Sequence, residues 1–373
     1  MVINKKVIVL GVALLLVFGF LVSAVKVDEQ EKTRAIGQIN YIENKFFDNK
    51  NENNAELSRP VMESKPSMDE KYYEIPQYVE EPTATGSFDD IPNQFSWKDY
   101  GGDWTTPARD QGNCGSCYIF AALGAFEGAI NIASGSPDTD IDLSEQYCLS
   151  CVNAGNYGCS GGLGNTIIEA IYSTDSGQYG NNINGCPIES CMSYQADDSI
   201  PCSDKCDDWD YYTEPPQPDN KLWQISSWGW TDSLSEDNPS DWDFLKNWVL
   251  EHGPLCVDIY ASSSFQNWGN THNDPDDVYE QDDPGTTNHE VTLVGWKDDP
   301  NIMNGGYWIV KNSWGQSWGY NGFFNIAYGC NSFAEDIAAW IDAVEWPGGE
   351  EGPGPVDPDM AVFADFDYMT EEN

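Results

Sequence analysis

The stretch Gln111-Gly-Asn-Cys-Gly-Ser-Cys117-Tyr118 runs directly into Ile119, Phe120, Ala121, Ala122, Leu123 and Phe126, so a cysteine stands where an apolar helix begins. The first turn of a helix leaves backbone N–H groups unpaired and carries the positive end of the dipole. Both favour the thiolate, the nucleophilic form of cysteine. The spacing therefore predicts a helix over 117–133 with a nucleophile at its start. The bland alternative, one more disulfide cysteine in a cysteine-rich chain, is tested by what else the sequence holds.

A nucleophilic thiol needs a base, and the chain has 3 histidines. His252 precedes Gly253-Pro254 at an expected helix end, which suits a capping role. His272 sits in the polar loop Asn270-Thr-His-Asn-Asp274. His289 opens the strand-like run Asn288-His-Glu-Val-Thr-Leu-Val-Gly-Trp296, where an exposed end meets a buried interior, and it is the expected base. Its imidazole needs a group to fix tautomer and orientation. Asn312 supplies one within Tyr307-Trp-Ile-Val-Lys-Asn312-Ser-Trp314-Gly-Gln-Ser-Trp318, where an indole can shield the Asn–His hydrogen bond from water. Acyl chemistry also needs donors for the developing oxyanion, here the backbone N–H of Cys117 and the side-chain amide of Gln111.

These motifs, with Leu143-Ser-Glu-Gln146 and Cys159-Ser-Gly-Gly162, resemble the papain-like cysteine proteases over roughly residues 91–345, in that family's order. The resemblance implies an α+β fold of two lobes, a helical L domain and a β-barrel-like R domain with the cleft between them. It implies peptide hydrolysis with Cys117 as nucleophile, His289 as general base and acid, Asn312 as orienting residue and Gln111 as oxyanion donor. Trp314 matches the tryptophan over the Asn–His bond. Gly161 and Gly162 match the glycines whose backbone pairs with extended substrate, and Asn288, just before the histidine, is assigned to substrate binding. The resemblance further implies disulfides Cys114–Cys159 and Cys151–Cys202. Partners of Cys148, Cys186, Cys191, Cys206, Cys256 and Cys330 stay open, Cys256 with Cys330 being suggested only by their common place in the β half. No metal or cofactor is required, and a thiolate–imidazolium pair with a thiol pKa of about 3–4 is the family expectation.

Several features depart from the family pattern. Tyr118-Ile119 replaces the commoner Trp-Ala. The spacing from Cys117 to His289 exceeds the roughly 130–150 residues usual for such enzymes, and the excess is assigned to 178–220 and 262–287. Two rival classes share part of the pattern: a Cys–His acyltransferase, and a papain-like surface binding module that has lost catalysis.

The chain has 373 residues, with Asp+Glu 62 against Lys+Arg 17 and a net charge of −45. Phosphates would be repelled, which excludes nucleic acid as a partner. Protein or peptide substrates and a monomeric state fit better, and the acidity suits a saline or acidic medium. Asp274, Asp276, Asp277, Glu280, Asp282 and Asp283 are dense enough to raise calcium but lack EF-hand spacing. Residues 1–24 read as a signal peptide: Lys5 and Lys6, an apolar run from Val7 to Val22, and a small-residue site at Val22-Ser-Ala24. Left uncleaved, that run would be a membrane anchor facing the protein outside; cleaved, the protein is secreted. The 11 cysteines fit one nucleophile and up to five disulfides in an oxidising compartment.

Polar residues 25–90 read as a propeptide or linker, although they lack the long helical pattern common in propeptides of that family. Residues 91–346 form the peptidase domain and 347–373 an acidic Pro/Gly-rich tail, in which 360–366 could form one strand. Within the domain, helices are expected at 117–133, 143–151, 163–174 and 242–252, and strands at 254–260, 289–296, 306–311 and 322–328.

Overall fold

The computed structural model describes residues 91–152, 156–172, 185–206, 222–232, 234–235 and 238–345. Residues 1–90 and the tail, with the signal, propeptide and 360–366 strand expected there, lie outside the described residues. The first half is helical: α1 Cys117–Ala133, α2 Glu145–Cys151 and α3 Gly164–Tyr172. The second half is mostly strands, β3 Leu222–Thr231, β4 Leu255–Ile259, β6 His289–Asp298, β7 Gly306–Lys311, β8 Phe323–Ala327 and β9 Ala338–Glu345, with α4 Pro239–His252 before β4 and α5 Ser263–Trp268 after it. Short strands β1 Gln94–Ser96, β2 Cys186–Pro187 and β5 Val278–Tyr279 complete a sheet ordered β2-β3-β9-β4-β6-β7-β8-β5, with β1 on β6. All pairs are antiparallel except β5–β8. The architecture is α+β.

Local chemistry explains the element ends. Ser144 caps α2, its Oγ accepting from Tyr147 N at 3.0 Å, so the helix begins at Glu145 rather than at 143. Pro239 sits in the first turn of α4 behind the Asn238 cap, which starts that helix three residues before the apolar pattern does. Gly253, at φ +93°, ends it. Two strands absent from the sequence expectation, β3 and β9, pair with each other and lay Trp340 over Gly229 in register. A Cβ on Gly229 would stand 2.6 Å from that ring.

Two cores result. One gathers Ile119, Leu123, Phe126, Ile130, Ile167 and Ile171 from the helices, and the other Leu255, Val257, Leu293, Trp296, Trp308 and Phe324 from the sheet. Each such side chain contributes about 1.5–3 kcal/mol on full burial. Helix α1 lies between them, buried from Cys117 to Asn131 against α2 and α3 on one side and β4, β6 and β9 on the other. Its close approach to the sheet depends on two glycines one turn apart. A Cβ on Gly124 would fall 2.5 Å from Thr292 Oγ1, and one on Gly128 2.6 Å from Pro254 Cγ.

One buried polar cluster crosses the same junction. Glu127 of α1 accepts from Leu143 N at 3.0 Å and from the Thr106 hydroxyl, and stands 3.5 Å from Lys311 Nζ of β7. Lys311 Nζ also donates to Thr106 Oγ1 at 2.6 Å. Burial lowers the Lys311 pKa, and the Glu127 carboxylate opposes that. A buried pair of this kind is weak evidence for net stability, but losing one partner is costly.

Candidate active site

Cys117 is the first residue of α1 and is fully buried. The residue before it, Ser116, does not cap the helix with its side chain; its hydroxyl bonds Tyr194 OH at 2.7 Å instead. Ile119 N and Phe120 N bond Ser116 O at 2.9 and 3.4 Å, and the backbone N–H groups of Cys117 and Tyr118 act on the sulfur. The loop that delivers Cys117 is held at several points. Cys114 is disulfide-bonded to Cys159, Gly115 N donates to Cys159 O at 2.8 Å, and Tyr194 OH donates to Gln111 O at 2.8 Å.

His289 opens β6 and is fully buried. Its Nε2 lies 2.8 Å from Asn312 Oδ1. That oxygen also accepts from the Ser313 backbone N–H at 2.8 Å, a group that can only donate. The Asn312 amide is therefore oriented without ambiguity, and the imidazole carries its proton on Nε2. Nδ1 is left with its lone pair, buried and with no hydrogen-bond partner among the described residues. This is the atom a general base needs. Trp314 stacks on the imidazole at 4.5 Å and 24° and is itself braced edge-on by Trp318 at 4.9 Å.

Gln111 reaches the Asn312-Ser313 turn from the loop that precedes Cys117. Its Nε2 donates to Cys114 O at 2.8 Å and its Oε1 accepts from Ser313 Oγ at 2.6 Å, which fixes the amide and leaves one N–H over. The backbone pairs as well, Gln111 N to Ser313 O at 2.9 Å and Gly315 N to Arg109 O at 2.9 Å. One short antiparallel contact thus sets the spacing between the cysteine's loop and the Asn312-Ser313-Trp314 turn.

Electrostatics differ from the sequence expectation. Burial pushes the Cys117 thiol up to about 12, the nearby Glu290 carboxylate adding to this; the backbone N–H groups of Glu290, Tyr118 and Cys117 pull the other way without prevailing. Burial also takes His289 down to about 4, against the hydrogen bond to Asn312. Desolvation opposes the thiolate expected at the helix start, while the backbone N–H groups there favour it. Burial favours the neutral form of both groups, the thiol and the imidazole.

The other sequence-derived residues have structural duties. Gly161 engages its own N–H and C=O in a tight turn, to Gly158 O at 3.3 Å and from Tyr157 N at 2.8 Å. Gly162 lets the Tyr118 ring approach, since a Cβ there would stand 2.5 Å from it. Asn288 ties the start of β6 to the end of β4, its N–H donating to Ile259 O at 3.1 Å and its Oδ1 accepting from Ala261 N at 2.8 Å. His252 stacks on Trp340 at 4.1 Å and His272 on Trp268 at 4.7 Å. The acidic loop binds itself: Asp283 accepts from Ser262, Ser264, Tyr279 and Gln281, and Glu280 from Met303 N. Among the described residues no group of three or more His, Cys, Asp or Glu side chains is placed to hold a metal ion.

Disulfides join Cys114–Cys159, Cys151–Cys202 and Cys191–Cys206. The suggested Cys256–Cys330 bridge is corrected. Both stay thiols, and Cys256 Sγ points at Glu290 Oε2, 3.3 Å away. Sequence reasoning missed Ser313, Tyr194 and Glu290. Ser313 stood inside the Lys-Asn-Ser-Trp-Gly motif and could have been found there. Tyr194 carried no local signal, and Glu290 read as one more strand residue.

Residues 91–339 match the model of the papain family of cysteine proteases. Among characterised proteins the chain is similar to Cathepsin B-like CP1 of Giardia intestinalis, 31% identical over 259 residues, covering 65% of this chain and 70% of that protein. It is also similar to the Oryzain gamma chain of Oryza sativa subsp. japonica, 32% identical over 246 residues, covering 65% and 56%. Cysteine proteinase 1 of Entamoeba histolytica is 32% identical over 238 residues, covering 63% of each chain. The chain thus spans less than two thirds of the length of the latter two. The digestive procathepsin L2 proteinase of Tenebrio molitor superposes with a TM-score of 0.50 at 27% identity, over 67% of this chain and 68% of that one. A structure from work on the mite allergens Blo t 1 and Der p 1 shares the fold, with a TM-score of 0.55 at 22% identity over 74% and 78%. The chain belongs to the papain family of cysteine proteases.

Proposed function

We propose that the protein is an exported endopeptidase that cleaves peptide bonds through a Cys117 thioester. The observation that carries this is the oriented imidazole: Nε2–H committed to Asn312 at 2.8 Å, Nδ1 unengaged, and Trp314 covering the bond. As Cys117 Sγ attacks the peptide carbonyl carbon, its proton passes to His289 Nδ1. The oxyanion is met by the Cys117 N–H and the remaining Gln111 N–H. The C–N bond then breaks, with the proton from His289 going to the amine. Water, deprotonated by the same nitrogen, hydrolyses the thioester and restores the thiol. Gly161, Gly162, Asn288 and Trp314 are the residues assigned to substrate binding, and a protein or peptide bound in extended form is the substrate class.

In this reading residues 1–24 direct export and 25–90 are a propeptide, so the chain is a precursor of a secreted monomer. Complete burial of Cys117 and His289, and the neutral pair that burial enforces, support a latent state that opens on processing. Limited proteolysis of the whole chain should therefore switch on hydrolysis of an unfolded protein substrate, and Cys117→Ala should abolish it. Hydrolysis that survives in the variant would end the assignment, and transfer to added amines in preference to water would point to the acyltransferase class.

A further inference from the structure

Cys148 of α2 and Cys186 of β2 face each other with their sulfurs 3.9 Å apart, both buried in the helical core. The backbones that carry them are already tied together. Ser144 N donates to Pro187 O at 2.9 Å, Leu143 and Ile188 form an antiparallel bridge, and Cys186 Sγ lies 3.8 Å from Ser144 O. Cys148 stands one helical turn beyond Ser144, so its side chain leans back over that turn toward β2. Cysteines beside both are already cross-linked, Cys151 to Cys202 from the same helix and Cys191 to Cys206 just past β2. The two sulfurs stand 3.9 Å apart, against a bond length of about 2.05 Å in a disulfide.

We propose that Cys148 and Cys186 form a fourth disulfide, made during folding by exchange with a small-molecule or protein disulfide in the export compartment. The inference rests on the export reading above. One cysteine thiolate attacks the oxidant's disulfide, releasing one thiol and leaving a mixed disulfide. The second cysteine attacks the protein sulfur of that bond and releases the other thiol. Two protein thiols are oxidised, one disulfide is reduced, and both protons end on the departing thiols. The bond fastens the base of segment 186–206, which delivers Tyr194 to Gln111 O and Ser116 Oγ beside the nucleophile. That segment would then be stapled at its start by Cys186, within itself by Cys191–Cys206, and to α2 by Cys202.

The test is a thiol count on the whole chain, folded with a glutathione disulfide/thiol mixture, then denatured and alkylated without reductant. Of the 11 cysteines, three should take the label, at Cys117, Cys256 and Cys330. Five labels, with Cys148 and Cys186 among them and the three existing bridges intact, would overturn the proposal. Labelling of all 11 would overturn it together with the oxidising-export reading, so the two failures are distinct. Cys148→Ser should raise the count to four, with peptic mapping placing the new label on Cys186. A fall from five to four would mean the pair was never bonded.

Discussion

Complete burial of the His289 imidazole has a thermodynamic consequence. In the folded protein His289 titrates near 4 rather than 6.5 because its imidazole is fully buried. Between those values the unfolded chain binds a proton that the folded chain refuses, so stability falls as pH falls through this window. Above about 6.5 both states are neutral at this site, and below about 4 both are charged, so the contribution is flat outside it. At about 1.4 kcal/mol per pH unit, the window amounts to about 3 kcal/mol. Urea unfolding of the wild type and of His289→Gln, each followed from pH 7.5 to 4.5, isolates the term, because the raised carboxyl groups Glu145 and Glu189 titrate alike in both. The wild type should lose about 2–3 kcal/mol relative to the variant over that range. A difference that stays constant with pH would mean the imidazole binds its proton alike in the folded and the unfolded chain, and burial would not hold it neutral.

Gln111→Ala, which removes the proposed oxyanion donor, should cut kcat by about 10²–10³-fold, whereas Ser313→Ala, which removes one neutral hydrogen bond to Gln111, should cost about tenfold or less; steady-state kinetics of the activated enzyme compares them. Gly124→Val places a side chain 2.5 Å from Thr292 Oγ1 and should destabilise the fold by about 1–3 kcal/mol in urea titration. Glu127→Leu strands the buried Lys311 ammonium and should cost about 3–5 kcal/mol. Adding Lys311→Met should recover part of that, and a further loss in the double variant would contradict the pairing.

Much of the site was legible because its chemistry is local. A cysteine before an apolar helix, a histidine at the start of a buried strand and an asparagine between tryptophans each announce themselves within a few residues. The helices and central strands were legible from their periods. What stayed hidden depends on distant packing. β9 is rich in alanine and has no strand signature; it becomes a strand because β3 pairs with it and Trp340 needs the space over Gly229. Tyr194 reaches Gln111 and Ser116 across a long stretch of chain. The charge state of Cys117 could not be read from its helix position, since it is set by how completely the surrounding fold excludes water.

The central claim is that Cys117 becomes an activated nucleophile in a peptide-binding cleft. Its most direct test is the intact mass of the processed protein after exposure to a peptidyl epoxide, beside Cys117→Ala treated in the same way. A single adduct on the wild type and none on the variant is the predicted result. No adduct on processed, disulfide-bonded protein, or an adduct that persists in Cys117→Ala, would contradict it.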